Sequence, residues 1–166
     1  MGSLISLIEH LEIGSQISVI ATSLRPVSGQ KWSTLSFAST LYLKPILDLL
    51  LSEVPSIWHA ELRLGLQEAL VNAVRHGNKL DPGKQVTIHF SISSQYYWWM
   101  IADQGEEGCP ELSAHGYTEH TPSFDSECGR GFFILHQIFD RVVWEEGSHQ
   151  LKLGKHLHQN CLPAIC

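Results

Sequence analysis

The sequence predicts an α/β (α+β) two-layer sandwich, a mixed and mostly antiparallel sheet backed by helices on one face. Three observations predict it. Strand-period runs come as neighbours joined by short turns, VTIHFSI with YYWWMIA and RVVWEE with HQLKL, which makes the pairing antiparallel. Helix-period runs precede and separate these pairs, YLKPILDLLLSEV and ELRLGLQEALVNAVRHGN before the first and GRGFFILHQIFDRV between the two. No internal repeat or low-complexity segment interrupts this order.

Residues 1–30 read as an N-terminal extension: a short amphipathic stretch (Leu4, Leu7, Ile8, Leu11), then SQISVIATSLRPVSG, closed by Pro and Gly. Residues 31–157 hold the domain proper, and 158–166 form a C-terminal tail. KWSTLSFAST alternates as a strand. YLKPILDLLLSEV is a helix with Pro45 in its first turn, where a missing N–H costs nothing. The long helix follows Pro55, and NKLDPGK then supplies a loop with turn chemistry. In VTIHFSI, Val86, Ile88, Phe90 and Ile92 alternate with Thr87, His89 and Ser91. The aromatic strand YYWWMIA stops at Asp103. Residues 104–128 show no periodicity and carry three Gly and two Pro; a structureless loop that long in a compact domain is either functional or a sign that an element has been misassigned. GRGFFILHQIFDRV reads as a helix opened by two glycines, and a hairpin turning around Gly147-Ser148 closes the fold.

A chain of 166 residues can bury one substantial core, so a single domain is expected. Its net charge of −6, with no Lys/Arg cluster, argues against nucleic acid or an anionic membrane as the main partner. No apolar run approaches the roughly twenty residues of a membrane span. Met1 to Leu11 lacks the basic start and continuous apolar core of a secretory signal, so a cytoplasmic location is expected. The four cysteines, Cys109, Cys128, Cys161 and Cys166, form no CxxC pair and read as reduced thiols. Two His/Cys groupings, Cys109/His115/His120/Cys128 and His156/His158/Cys161/Cys166, have spacings that match no standard zinc pattern.

The helix over Glu61–Asn78 carries one polar sector too many. At roughly 100° per residue, Leu62, Leu66, Ala69, Leu70 and Ala73 share the core face, and Arg63 and Gln67 a solvent face. Glu61, Gly65, Glu68, Asn72, Arg75 and His76 make a third sector, which is either a broad solvated face or the wall of a pocket. Two glycine features follow it. Asp103-Gln104-Gly105 ends a strand, and Gly129-Arg130-Gly131 opens a helix; in isolation each is an ordinary turn or cap. Together they carry chemistry. A helix start bares N–H groups to a phosphate, an Asp accepts from the amino group of a base, a Glu takes a proton, and an Asn oxygen suits Mg²⁺. The sequence has no GxxxxGK[ST], so this nucleotide site is not a P-loop.

At these residues the chain resembles the GHKL (Bergerat-fold) ATPases, and among them the small anti-sigma-factor serine/threonine kinases. The resemblance covers roughly residues 31–157. Glu68-Ala-Leu-Val-Asn72-Ala-Val-Arg-His76-Gly77 is similar to the family's N box, Asp103-Gln-Gly105 to its first glycine box, and Gly129-Arg-Gly131-Phe132 to its second, while the closing KHL resembles the end of several members. The resemblance implies a four- or five-stranded sheet with ATP held between sheet, N-box helix and a lid over residues 106–128. It implies Glu68 as general base and Asn72 as the Mg²⁺ ligand. Asp103 would bind the adenine amino group, and Gly105, Gly108, Gly129, Arg130, Gly131 and Phe132 would line the nucleotide. His76 and Lys79 would touch phosphates, or else complement the end of the helix dipole.

Two departures stand out. Gly108 comes one residue later than the second glycine of the usual Asp-x-Gly-x-Gly, after Glu106 and Glu107, and the usual Gly-Thr pair of the last hairpin is replaced, with Ser148-His149 nearest. Residues 1–30 are too few for a phosphoacceptor hairpin, and the large downstream domains of chaperones and gyrases are not in this sequence, so a stand-alone kinase is expected. The implied reaction is γ-phosphoryl transfer to a Ser or Thr of an anti-anti-sigma (STAS-domain) partner. A sigma factor and a second copy of the chain complete the implied partner set. Two other readings remain open: a nucleotide-gated binding module without transfer, and a scaffold without nucleotide.

Overall fold

The computed structural model describes residues 8–12, 18–24, 32–105, 127–145 and 149–157, with backbone alone for the first two segments and for 127–130. Among the described residues seven strands form one sheet: β1 (Ile8–Glu12), β2 (Ser18–Leu24), β3 (Trp32–Ala38), β4 (Gln85–Ile92), β5 (Tyr96–Ala102), β6 (Arg141–Glu145) and β7 (Gln150–His156). Their spatial order is β1-β2-β3-β4-β5-β7-β6, and every ladder is antiparallel. The four or five strands expected thus become seven. The two added strands lie within 1–30, the stretch read as an extension: β2 pairs onto β3, with Ile20 opposite Ser36 and Leu24 opposite Trp32, and β1 pairs onto β2.

The α-helices of the described residues pack on one face: α1 (Lys44–Leu50), α2 (His59–Asn72) and α3 (Glu127–Ile138). Pro45 does fall in the first turn of α1. The period-2 pattern of the strands sets which side chains meet them. Leu35 and Phe37 of β3, Val86 and Ile88 of β4, Tyr97, Trp99 and Ile101 of β5, and Leu153 of β7 are buried beneath the helices. The alternate positions face away and pair as polar groups, with Thr34 bonded to His89 at 2.8 Å and Ser36 to Thr87 at 3.0 Å. On α2, Leu62, Leu66, Ala69, Leu70 and Ala73 are buried, the face that the apolar spacing predicts. Arg63 reaches out to Asp48 at 2.6 Å.

Two helix boundaries differ from the sequence reading. The expected helix through Asn78 leaves the α form at Asn72 and continues as one π turn, Ala73–Gly77, sealed by a bond of 2.8 Å from Asn78 N–H to the carbonyl of Ala73. Lys79 and Leu80 follow with φ of 55° and 60°, a pair of left-handed residues that turns the chain into the loop. The helix expected to open at Gly129 begins at Glu127 and stops at Ile138, because Arg141 already pairs with Gly154 in the sheet. Of the expected lid, residues 106–126 lie outside the described residues, as do the side chains of both His/Cys groupings except His156.

Candidate functional site

The third sector of α2 turns out to be the face against α3. At its first turn, Glu61 accepts from Lys155 Nζ at 2.6 Å, and the same ammonium donates to the carbonyl of Ile138 at 2.6 Å, satisfying the C-terminal end of α3. One turn later, Gly65 is not part of a polar wall but the buried point where the helices cross: a methyl group there would come within 2.6 Å of the Phe139 ring and 3.1 Å of Ile138. Two turns further, Gly131 of α3 seats against Glu68 and Asn72. A methyl group at Gly131 would stand 2.6 Å from Glu68 Oε1 and 3.0 Å from Asn72 Nδ2. The N-box stripe and the second glycine box, 59 residues apart from Asn72 to Gly131, are therefore neighbours. Phe132 is half-buried and sets its ring edge-on to His136, with centroids 4.6 Å apart. Because α3 begins at Glu127, the N–H groups of residues 127–129, including that of Gly129, belong to its first turn and have no intrahelical acceptor, whereas the Arg130 N–H is the first to be bonded within the helix.

Asp103 stands at the other end of the stripe, where β5 leaves the sheet. Its carboxylate accepts the Gly105 N–H at 2.9 Å and lies against Gly77, so close that a side chain at Gly77 would overlap it. Gly105 in turn rests on the carbonyl of Gly77, 2.5 Å from where a methyl group would sit. The two glycines let a strand end and a helix end approach to backbone contact. Burial pushes the Asp103 carboxyl above the ordinary carboxylate range, and the Gly105 N–H, His149 and Lys84 pull it only partly back. A half-buried carboxylate that accepts, among the described residues, from the Gly105 N–H alone suits a further donor such as an amino group. His76 and Lys79 are exposed beside this end of the helix, and Gly108 lies outside the described residues.

Sequence reading missed Asn78. It is fully buried, and its amide joins four chain segments: Nδ2 donates to Ser39 Oγ at 2.6 Å and to the Gln85 carbonyl at 3.0 Å, while Oδ1 accepts the Gln104 N–H at 2.7 Å. The Gln104 side chain closes the circle by accepting the Gln85 N–H at 2.7 Å. A Gly-Asn pair after a helix looks like a routine C-cap, so only the partners distinguish it. Gly77 belonged to the matched motif, but its contact with Asp103 has no signature in the sequence.

The donor set suits one kind of metal. Asn72 offers a neutral hard oxygen, the sparse protein contribution that Mg²⁺ accepts when phosphates and water fill its other positions. Among the described residues, no helix is long and apolar enough to cross a membrane.

Comparison with known proteins agrees with this arrangement. The histidine kinase-like ATPase domain family matches residues 50–155, which span α2, Asp103, the second glycine box and the closing strands. Serine-protein kinase RsbW of Bacillus licheniformis is 29% identical over 86 residues, 49% of this chain and 54% of that protein. Serine-protein kinase RsbW of Bacillus subtilis (strain 168) is 28% identical over 86 residues, with the same coverage. The chain thus spans about half the length of these curated relatives, 54% in each case. The resemblance carried by the N box and both glycine boxes is thereby met: the chain belongs to the histidine kinase-like ATPase domain family, in its GHKL group, and resembles the serine-protein kinases within it.

Proposed function

We propose that the protein binds Mg-ATP and transfers its γ-phosphate to a serine or threonine hydroxyl of an anti-anti-sigma (STAS-domain) partner, and so controls release of a sigma factor. The observation that carries the reading is the seating of Gly131 on Glu68 and Asn72, which brings a carboxylate and a side-chain amide against the first turns of α3. The similarity to serine-protein kinases supports the reaction type.

In this reading each residue has separate work. Asp103 accepts from the adenine amino group. The first turn of α3, at Gly129, cradles phosphates through its unbonded N–H groups and the positive end of the helix dipole, with Arg130 and Gly131 lining the nucleotide beside it. Asn72 holds Mg²⁺, which neutralises phosphate charge when bound. Glu68 takes the proton of the attacking hydroxyl as its oxygen bonds to the γ-phosphorus and the bond to the β-phosphate oxygen breaks.

The test is transfer of label from γ-labelled ATP to a STAS-domain protein. Glu68→Gln keeps shape and hydrogen bonding but cannot accept the proton, so ATP affinity survives while transfer falls roughly 10²–10⁴-fold. Asn72→Ala weakens Mg-dependent ATP binding itself. Parental transfer by Glu68→Gln would refute the assignment of the base. Tight ATP binding with no transfer by the parental protein would leave a nucleotide-gated binding module instead.

A further inference from the structure

We infer that Asn78 is the positioning residue for base recognition: its buried amide clamps the Asp103-Gln104-Gly105 turn so that the Asp103 carboxylate is held where a base amino group must meet it. The inference rests on the reading of Asp103 as the base-reading group.

The geometry fixes what this amide does. The Gln85 carbonyl can only accept and the Gln104 N–H can only donate, so the orientation of the Asn78 side chain is set by its partners. Both N–H groups and one oxygen lone pair are used, in a site with no solvent access. The segments joined are the ends of three adjacent strands, at Ser39 after β3, Gln85 at the start of β4 and Gln104 after β5, and the end of the α2 π turn. Asp103 has no such anchor of its own. Its one bond among the described residues is to Gly105, within the same turn, and it would swing with that turn if Gln104 were released. Gly77 fixes the remaining distance, because its Cα surface is what the carboxylate rests on.

The π turn is what brings Asn78 into this position. A continued α-helix would bond Asn78 N–H to the carbonyl of Val74; the observed bond reaches Ala73 instead and shifts the residue by one step around the axis. Insertions of this kind recur at functional sites. Here the inserted residue turns a helix-end Asn inward to the strand ends, while the left-handed Lys79 and Leu80 carry the chain away.

A clamp acting through Asp103 has a readout that a merely structural hydrogen bond lacks, which is base selectivity. Guanine offers a carbonyl where adenine offers its amino group, so a well-placed Asp103 rejects it and a loosened one discriminates poorly. The experiment is calorimetric titration of the parental protein, Asn78→Ala, Ser39→Ala and Asp103→Asn with Mg-ATP and with Mg-GTP, alongside thermal unfolding. In Asn78→Ala, ATP affinity is expected to fall about 10–100-fold, the scale of a misplacement near 1 Å, and the ATP:GTP preference to fall at least about tenfold. Ser39→Ala removes one acceptor only and keeps the fold; it is expected to lower both by about threefold. If Ser39→Ala and any folded Asn78→Ala lower the thermal midpoint but leave the ATP:GTP ratio within twofold of parental, Asn78 is a structural residue alone and the clamp is overturned. If Asp103→Asn keeps the parental preference, the base-reading assignment falls first, and that result is seen independently of Asn78.

Discussion

Gly131 and Glu68 stand so close that a single methyl group on Gly131 would come within 2.6 Å of the Glu68 carboxylate oxygen. The atom it would meet is the far end of a side chain that can turn aside, and Asn72 Nδ2 at 3.0 Å is the next. Gly131→Ala is therefore expected to spare the fold while moving both polar groups of the stripe. Replacing a helical glycine gains up to about 1 kcal/mol in propensity, which offsets the local crowding. The thermal midpoint should stay near parental, and phosphotransfer should drop at least about tenfold, as for a displaced general base. Full activity in Gly131→Ala would show that the contact has no bearing on the chemistry.

Asp103 gives a stability prediction of the opposite sign to most acids. Burial raises its carboxyl above the ordinary value, so the native state binds the proton more tightly than the unfolded chain. Its ionised form then destabilises the fold above the raised pKa, and that penalty fades as pH falls through it towards the ordinary carboxylate value. Asp103→Asn should raise the thermal midpoint at pH 7, with the gain shrinking over that acidic window, while ATP binding is lost. A lower midpoint at pH 7 would contradict the sign.

His89 titrates in the other direction. Burial on the outer sheet face pushes its pKa below the ordinary imidazole value, and its Nδ1 is bonded to Thr34 Oγ1. The neutral form is favoured in the fold, so stability is complete above the ordinary pKa and declines as pH falls from there through the lowered one. His136 is shifted the same way by burial, so His89→Gln should flatten only part of this decline. Urea midpoints measured across the mildly acidic range would report it; an unchanged slope would place the proton uptake elsewhere.

Lys155 and Glu61 should behave unequally although they form one ion pair. The Lys155 side chain is 14% exposed and also satisfies the Ile138 carbonyl, whereas the Glu61 side chain is 44% exposed. Lys155→Met should cost about 1–3 kcal/mol, from the lost charged hydrogen bond at a helix C-terminus. Glu61→Gln should cost less than about 1 kcal/mol, as exposed pairs do. Equal losses in denaturant unfolding would mean that the pair itself, not the cap, holds α2 to α3.

What the sequence determined by itself was local and periodic. The alternation in VTIHFSI and YYWWMIA is a consequence of one buried face, so β4 and β5 appear where the pattern puts them. The apolar sector of α2 was legible for the same reason, and the motif residues Glu68, Asn72, Asp103 and Gly131 stood out because polar and glycine positions interrupt that pattern. Tertiary structure decided what those residues touch. Gly65 fell in the polar sector by angle, yet it is buried because α3 crosses there, a fact held in the distant Phe139. Ser18–Leu24 pairs onto the edge of β3 and Ile8–Glu12 onto the edge that β2 then offers, pairings which no local propensity encodes. Asn78 was only the last residue of the expected helix, and the convergence of three strand ends on a π turn gives its amide three other segments to hold. Periodicity reports burial on one element at a time, whereas a contact between elements depends on where the rest of the chain has gone.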